Sequence, residues 1–399
     1  MTSEEAILDS RLGELRRAAL DVSPVQGLTH RFYRYPARFS PQFAGAAIEV
    51  FSRPGDLVLD PQMGGGTTVV EALVRGRHAV GNDLNSLAVF VARVKTTCLD
   101  GRERAALTRW AQDIVPALSY RANPGSLHEV ICRRRTRNLS LPMARPIKKV
   151  IALAIHGLSS LPTEPCRNLA RCALLNAAQL ALNGRKRTTP LCEFRGLVRA
   201  VVLEMLAAVE QLRQRVSGFP AAIQLPTLTN ANAANLAGQA PFAQGARADL
   251  VVTSPPYPGI HVLYHRWQVD GRRETPAPYW IAACNDGQGN AYYNFADRRD
   301  AAASDYFDES LRTLRALRQV VKDGAIVVQM VAFGDPKNHL RRYLANMRQA
   351  GFEEDRPAAA SGGMTRRRIW RTVPRRRWHA NLKGDLHSSR EVVLVHRAV

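Results

Sequence analysis

Gly55-Asp56-Leu57-Val58-Leu59-Asp60-Pro61-Gln62-Met63-Gly64-Gly65-Gly66-Thr67-Thr68 begins with a turn and a short apolar run, and closes with a glycine-rich turn. An apolar run of this length, ending in a carboxylate, reads as a buried strand. Val69 to Arg75 then reads as a helix. Gly76-Arg77-His78-Ala79-Val80-Gly81-Asn82-Asp83 reads as a second turn and strand, again ending in a carboxylate. Asp60 and Asp83 lie 23 residues apart, the spacing of a βαβ unit that holds a nucleotide. Glycines let the backbone come close to a ligand. The acid ending the second strand is placed to take both hydroxyls of a ribose.

The turn excludes two ligand classes. It has no Gly-Lys-Ser/Thr, so the lysine that meets the β- and γ-phosphates of a nucleotide is missing. Nor does it match the GxGxxG of nicotinamide enzymes. An adenosine ligand without phosphates remains, and S-adenosyl-L-methionine is that ligand.

A second stretch answers the first. Ala248-Asp249-Leu250-Val251-Val252 reads as a buried parallel strand, followed by Thr253-Ser254-Pro255-Pro256-Tyr257. Two prolines after such a run cannot continue a strand, so they set a stiff loop at its carboxyl end. In open α/β sheets that edge binds ligands. A hydroxyl, two rigid carbonyls and an aromatic face on one loop suit a flat base gripped through its exocyclic amine.

Around these two stretches the chain reads as follows. Residues 1–20 form a peripheral amphipathic helix. His30 to Pro41, aromatic and basic with two prolines, is a loop that either packs as an arm or closes over a cofactor. A helix runs from Pro41 to Phe51, and another over 84–97 is capped near Asn85. Residues 100–245 carry helical patterning, best over Leu197 to Val216, with Ala231 to Gln244 as a polar linker at their end. Arg133-Arg134-Arg135 and Arg185-Lys186-Arg187 punctuate this region. Each alone reads as a solvated loop; together, on a basic protein, they suit phosphate. After Tyr257, His261 to Trp267 interleaves aromatics with Arg266, and Arg272-Arg273 follow. That pattern suits stacking on an unpaired base, or ordinary packing, above all for Trp267. A helix over Asp305 to Val321, a strand over Gly324 to Val331, a helix over Leu340 to Ala350 and a last strand over Val392 to Val395 complete the chain.

Composition bounds the partners. With 46% hydrophobic and 23% charged residues in 399, the chain is globular, and no apolar run reaches membrane-spanning length. Its start, Met1-Thr2-Ser3-Glu4-Glu5, has no signal-peptide pattern, which points to the cytoplasm and no membrane. A formal net charge of +22 favours a polyanion, nucleic acid first. The six cysteines show no paired CxxC spacing, so they predict reduced thiols and no metal site.

Asp60-Pro61-Gln62-Met63-Gly64-Gly65-Gly66-Thr67-Thr68, Asp83 and Ser254-Pro255-Pro256-Tyr257 together resemble the amino-methylating DNA methyltransferases, which act on cytosine N4 or adenine N6. Tyr35-Pro36-Ala37-Arg38-Phe39 is similar to their segment on the methionine end of the cofactor, and Arg390 to Val395 to their terminal hairpin strand. The likeness covers roughly 29–97 and 248–399. It implies an α/β fold: a Rossmann-like methyltransferase doubly wound sheet with a C-terminal β-hairpin edge and a largely helical insertion. It divides the chain into a cofactor half (1–99), an insertion for target recognition (100–245) and a catalytic half (246–399).

The resemblance assigns Ser254, Pro255, Pro256 and Tyr257 to catalysis. It assigns Pro36, Phe39, Asp60, Pro61, Met63, Gly64, Gly66, Thr67, Thr68 and Asp83 to S-adenosyl-L-methionine. The basic groups expected on nucleic acid are Arg133, Arg134, Arg135, Arg185, Lys186, Arg187, Arg266, Arg272 and Arg273. Ser254 leans toward cytosine N4, and duplex DNA is the expected substrate, with a restriction or defence-system partner. The alternatives are an RNA or tRNA base methyltransferase and a non-catalytic nucleic-acid-binding protein. The family has Phe where this chain has Gln62, which predicts a changed cofactor contact. Pro165-Cys166-Arg167, the nearest approach to a cytosine-C5 nucleophile, reads as structural.

Overall fold

The computed structural model describes residues 3–35, 39–121, 135–185, 187, 189–257, 266–270, 273–285, 295, 304–333, 335–355, 368–372 and 390–399. In chain order, α1 (Ser3–Leu20) and α2 (Pro41–Phe51) precede β1 (Leu57–Asp60), α3 (Thr67–Leu73), β2 (His78–Asn82) and α4 (Ser86–Thr96). Next are α5 (Gly101–Arg109), α6 (Arg145–His156), α7 (Glu164–Leu182) and α8 (Leu191–Val216). Then come β3 (Thr227–Thr229), β4 (Ala248–Thr253), β5 (Trp267–Val269), β6 (Arg273–Thr275) and α9 (Ala277–Ala282). The chain ends with α10 (Ser304–Val320), β7 (Val321–Ala332), α11 (Pro336–Gln349), β8 (Phe352–Glu354), β9 (Ile369–Thr372) and β10 (Arg390–Ala398).

Eight strands form one sheet in the order β3-β2-β1-β4-β7-β10-β8, with β9 also on the outer edge of β10. The pairs β3–β2, β2–β1, β1–β4 and β4–β7 are parallel. β10 runs antiparallel to β7, β8 and β9. This is the expected doubly wound sheet with an antiparallel C-terminal edge. From β1 the chain steps outward through β2 and β3, then returns to β4 on the other side. The strand order therefore reverses between β1 and β4, where open α/β sheets leave a crevice at the carboxyl ends of their strands. The inner strands are apolar without alternation, because helices cover both sheet faces; Val58, Leu59, Leu250, Val251 and Val252 are all essentially inaccessible.

Local signals set the helix ends. Ser40 caps α2 by accepting from the Phe43 N–H at 3.2 Å, with Pro41 in the first turn, where its missing N–H costs nothing. Asn85 caps α4 through the Leu87 N–H at 3.0 Å. Gly351, at φ 88°, follows α11 in the left-handed region that favours glycine.

The structure adds short elements to those the sequence predicts, among them β3, β5, β6, β8 and α9, and it reshapes residues 231–244. β3 was not anticipated: three residues give too little alternation to stand out, and its pairing with β2 makes it a strand. Residues 231–244 are not an extended linker. They form two 3₁₀ turns, Ala233–Gly238 and Phe242–Gln244, and bury Leu236 and Phe242 in the core beside α10.

The helices over residues 101–216 share one core cluster. Helices α5 to α8, with the π-helical turn Trp110–Ile114 after α5, bury Leu107, Trp110, Ile151, Leu174, Phe194 and Val202 in one cluster. That cluster is continuous with Tyr33 and Tyr35 of the N-terminal segment and with Trp267 and Tyr279. Five described cysteines carry free thiols. Cys166 is buried in the first turn of α7, 3.7 Å from the Glu103 carbonyl oxygen. No described helix is long and apolar enough to cross a membrane.

Candidate functional site

The two stretches that stand out in the sequence meet at the crevice. Asp60 ends β1 and Thr253 ends β4, and the Thr253 hydroxyl donates to Asp60 Oδ1 at 2.7 Å across 193 residues of chain. The Thr68 hydroxyl donates to the Val252 carbonyl at 3.0 Å, binding the start of α3 to the same strand. Burial pushes the Asp60 carboxyl up to about 7, against the Thr253 hydrogen bond, which pulls it down.

The glycine turn shapes one wall. Gly66 adopts φ 73°, and a Cβ there would lie 2.8 Å from the Ala92 Cβ on α4. Glycine therefore serves both the left-handed backbone and the close approach of α4. Gly64, at φ 48°, faces the Tyr35 ring; a Cβ would meet it at 3.3 Å. Beneath the turn, the fully buried Lys95 of α4 donates from Nζ to the Gly65 carbonyl at 2.6 Å. A buried ammonium is costly unless hydrogen-bonded, so this contact ties the turn to α4.

Asp83 supplies the acid of the second strand end. Its Oδ2 accepts from the Gly64 N–H at 2.8 Å and its Oδ1 from the Asn85 N–H at 2.8 Å. Burial pushes its carboxyl up to about 6, while those two N–H groups pull it down. Two accepted bonds leave a carboxylate further lone pairs for a ligand. Asn85 is a hub: its Oδ1 also accepts from the Tyr279 hydroxyl at 2.9 Å, and its Nδ2 donates to the Tyr35 hydroxyl at 3.3 Å.

A cavity of about 450 Å³ lies among these groups, in the size range of a small-molecule site. Asp60, Pro61, Met63, Gly64, Thr67, Asp83 and Phe39 of the expected cofactor set line it, as do Ser254 and Pro256 of the expected catalytic set. Gly66 and Thr68 stand behind the wall, in the turn and in α3. Pro36 lies outside the described residues. Gln62 lines the cavity where the family's Phe is expected, and its buried Nε2 has no hydrogen-bond partner among the described residues.

Several lining groups escaped the sequence reading. Asn232, Asp305, Asp308, Glu309 and Arg312 all face the cavity. Asp305, Asp308 and Glu309 lie on one side of α10 at helical spacing, a signal that is legible only once α10 is known to border the crevice.

The Ser254-Pro255-Pro256-Tyr257 loop is held from both sides. Ser254 Oγ lies 2.9 Å from the Tyr257 hydroxyl, which donates to Glu391 Oε1 at 3.2 Å. The Tyr306 hydroxyl of α10 donates to the Pro256 carbonyl at 2.6 Å. Of the two proline carbonyls in the loop, that of Pro256 is therefore already engaged. Tyr257 is 7% exposed and sits behind Ser254 rather than on the cavity wall.

The basic segments converge on the β5–β6 hairpin. The Gly184 N–H donates to the Gln268 carbonyl at 2.8 Å, and the Gln268 N–H donates to Asn183 Oδ1 at 2.9 Å. The Asn138 amide donates to the Glu274 carbonyl at 2.8 Å, and Arg135 Nη2 to Asn285 Oδ1 at 3.1 Å. Arg185, Arg187 and Arg273 are exposed, while Arg135 and Arg266 are half-buried. Arg273 also lies 3.6 Å from Asp270. Arg133, Arg134, Lys186 and Arg272 lie outside the described residues, as does 258–265, which includes the aromatics before Arg266. Trp267 follows the packing alternative: it is 1% exposed and donates from Nε1 to the Tyr33 hydroxyl at 3.1 Å. Among the described residues no cluster of His, Cys, Asp or Glu could hold a metal.

The model of the N6_N4_Mtase family, DNA methylase, matches residues 15–92, which hold α2, the glycine turn and Asp83. That match shows the family resemblance. The type II methyltransferase M.MvaI of Kocuria varians is 37% identical over 90 residues, 22% of this chain and 19% of that protein. The type II methyltransferase M.MjaII of Methanocaldococcus jannaschii is 32% identical over 66 residues, 16% and 12% of the two chains. The chain thus covers less than a fifth of either methylase. Among solved structures, TrmN from Thermus thermophilus is 12% identical with a TM-score of 0.34, covering 93% of this chain and 52% of that one. The rRNA methyltransferase aviRa from Streptomyces viridochromogenes is 14% identical with a TM-score of 0.33, covering 97% and 92%.

Proposed function

We propose that the protein is an S-adenosyl-L-methionine-dependent DNA methyltransferase that methylates the exocyclic amine of a flipped base, with cytosine N4 ahead of adenine N6. The observation that carries this reading is the Asp60–Thr253 contact, which sets the cofactor turn and the Ser254-Pro255-Pro256-Tyr257 loop side by side at the crevice. The likeness of residues 15–92 to DNA methylases supports it. A cytoplasmic setting and a restriction or defence-system partner belong to the same reading.

The residues fit the cofactor. Asp83 has lone pairs left for ribose hydroxyls, the glycine turn admits close approach, and the unpartnered Gln62 amide offers a polar contact in place of the family's ring. When bound, S-adenosyl-L-methionine supplies an electrophilic methyl group. The chain's own work is then positioning. The target base leaves the duplex, since its amine is otherwise paired. Ser254 Oγ and the Pro255 carbonyl accept hydrogen bonds from that amine and aim its lone pair at the methyl group. Tyr257 supports the base from behind the loop. Arg135, Arg185, Arg187, Arg266 and Arg273 hold the phosphates around it.

The test is methyl transfer from S-adenosylmethionine to unmethylated chromosomal duplex DNA and to tRNA, with the modified base identified by mass spectrometry. The expected product is N4-methylcytosine in DNA, reduced at least a hundredfold in Tyr257→Ala, roughly the effect of misplacing a reacting group. Transfer to tRNA alone would replace the DNA reading. No transfer to either substrate, with no cofactor binding by calorimetry, would overturn the enzyme reading.

A further inference from the structure

Behind the catalytic loop, three side chains form a directed chain of hydrogen bonds. The Tyr257 hydroxyl donates to Glu391 Oε1 at 3.2 Å. A phenol has one proton to give. Ser254 Oγ lies 2.9 Å from the same phenol oxygen. With the Tyr257 proton committed to a carboxylate, Ser254 must be the donor in that contact. Its only proton then points away from the cavity that it lines, and its oxygen offers lone pairs alone. A free serine hydroxyl donates or accepts with equal ease. This one is fixed as an acceptor, which is what an amine bearing N–H donors requires.

The direction depends on Glu391 remaining a carboxylate. Arg371 lies 2.6 Å from Glu391 Oε2, with side-chain exposures of 7% and 2%. A guanidinium only donates, so Oε2 takes a fixed cation while Oε1 accepts from Tyr257. Arg371 is itself held by α1, donating from Nη1 to the Ala19 carbonyl at 3.0 Å. Glu391 pairs with Ala332 where β7 ends, so the ion pair sits at the catalytic edge of the sheet.

We infer that Glu391, fixed by Arg371, is a positioning residue that sets the direction of the chain Ser254→Tyr257→Glu391 and so makes Ser254 an obligate acceptor for the target amine. The inference rests on the amine-methylating reading proposed above. Glu391 acts only through Tyr257 and never touches the base.

Glu391→Gln keeps the shape but lets the side chain donate, so the chain can reverse. The full-length protein and its variants are assayed with S-adenosylmethionine and unmethylated chromosomal DNA, with calorimetric cofactor binding on the same samples. Glu391→Gln should lower kcat about tenfold, the scale of one charged hydrogen bond, with cofactor affinity unchanged. Tyr257→Phe, which leaves the ion pair intact, should fall by a similar factor, and the double variant by no more than either alone. In the Glu391→Gln background, Ser254→Asp should restore the rate, because a carboxylate there accepts without help. An unchanged kcat in both single variants overturns the inference. So does a loss that Ser254→Asp fails to recover in protein that still binds cofactor. Wild-type protein without transfer overturns the proposed function, and this inference with it.

Discussion

The proposed cofactor cradle and the basic face are built in opposite ways. The cradle is one continuous βαβ unit: Asp60, the glycine turn and Asp83 fall within 24 residues, and neighbouring strands bring them together. The basic face comes from three segments near residues 135, 185 and 270, which meet only because the β5–β6 hairpin accepts hydrogen bonds from, or donates them to, both insertion loops. A local unit carries its geometry in residue spacing. A convergent face depends on the cores beneath it, and here that core is the cluster joining the insertion helices to Trp267.

The largest expected effect therefore falls on stability. Trp267→Ala removes a buried indole and its bond to Tyr33, and should cost about 3–5 kcal/mol in denaturant unfolding. If the variant instead kept its stability and lost only DNA affinity, Trp267 would be a stacking residue and the hairpin would not be seated by the core.

A middle effect tests the cradle alone. Asp83→Asn should weaken cofactor binding about tenfold in calorimetry, on the scale of about 1.4 kcal/mol for a hydrogen bond to a charged acceptor. Burial holds the wild-type carboxyl at about 6, so below that pH it protonates and loses acceptor sites. Wild-type affinity should then fall as pH drops through 6, and the variant should show no such fall. The sign for stability is the opposite. A carboxyl raised from 3.8 binds its proton more tightly when folded, so its contribution is full below 3.8 and is lost as pH rises through about 6. Removing that loss should leave Asp83→Asn melting less dependent on pH between 4 and 6. DNA affinity without cofactor should be unaffected, which keeps the two regions distinct.

The smallest effects belong to single arginines. Arg185→Gln, Arg187→Gln or Arg273→Gln should each weaken DNA binding a fewfold and lower the slope of log affinity against log salt by about 1. A residue that changes neither faces solvent only. Arg273 is the first to examine, because Asp270 already lies beside it.

Much of the cradle was legible because its signals are short-range. The glycines, the two strand-ending acids and the Asn85 cap each report on residues within a turn or two. The ligand-binding edge was legible too, since the prolines set a stiff loop at the carboxyl end of an apolar strand. Trp267 shows where that kind of reading ends. An aromatic among basic residues suits stacking and packing equally, and only the Tyr33 hydroxyl, 234 residues away, decides between them. The acidic side of α10 shows the same limit, because helical spacing groups Asp305 and Asp308 without saying what they face.

The sequence by itself determined the α/β class, the position of the glycine turn, the acid that ends each of the two strands, and the stiff loop after β4. Each depends on periodicity, proline geometry or glycine's φ freedom, which neighbouring residues set. Tertiary structure decided the contact between Thr253 and Asp60, the engagement of the Pro256 carbonyl by Tyr306, and the Glu391–Arg371 pair behind Tyr257. Those are hydrogen bonds between groups 20 to 193 residues apart, and their partners are chosen by sheet order and core packing rather than by any pattern along the chain.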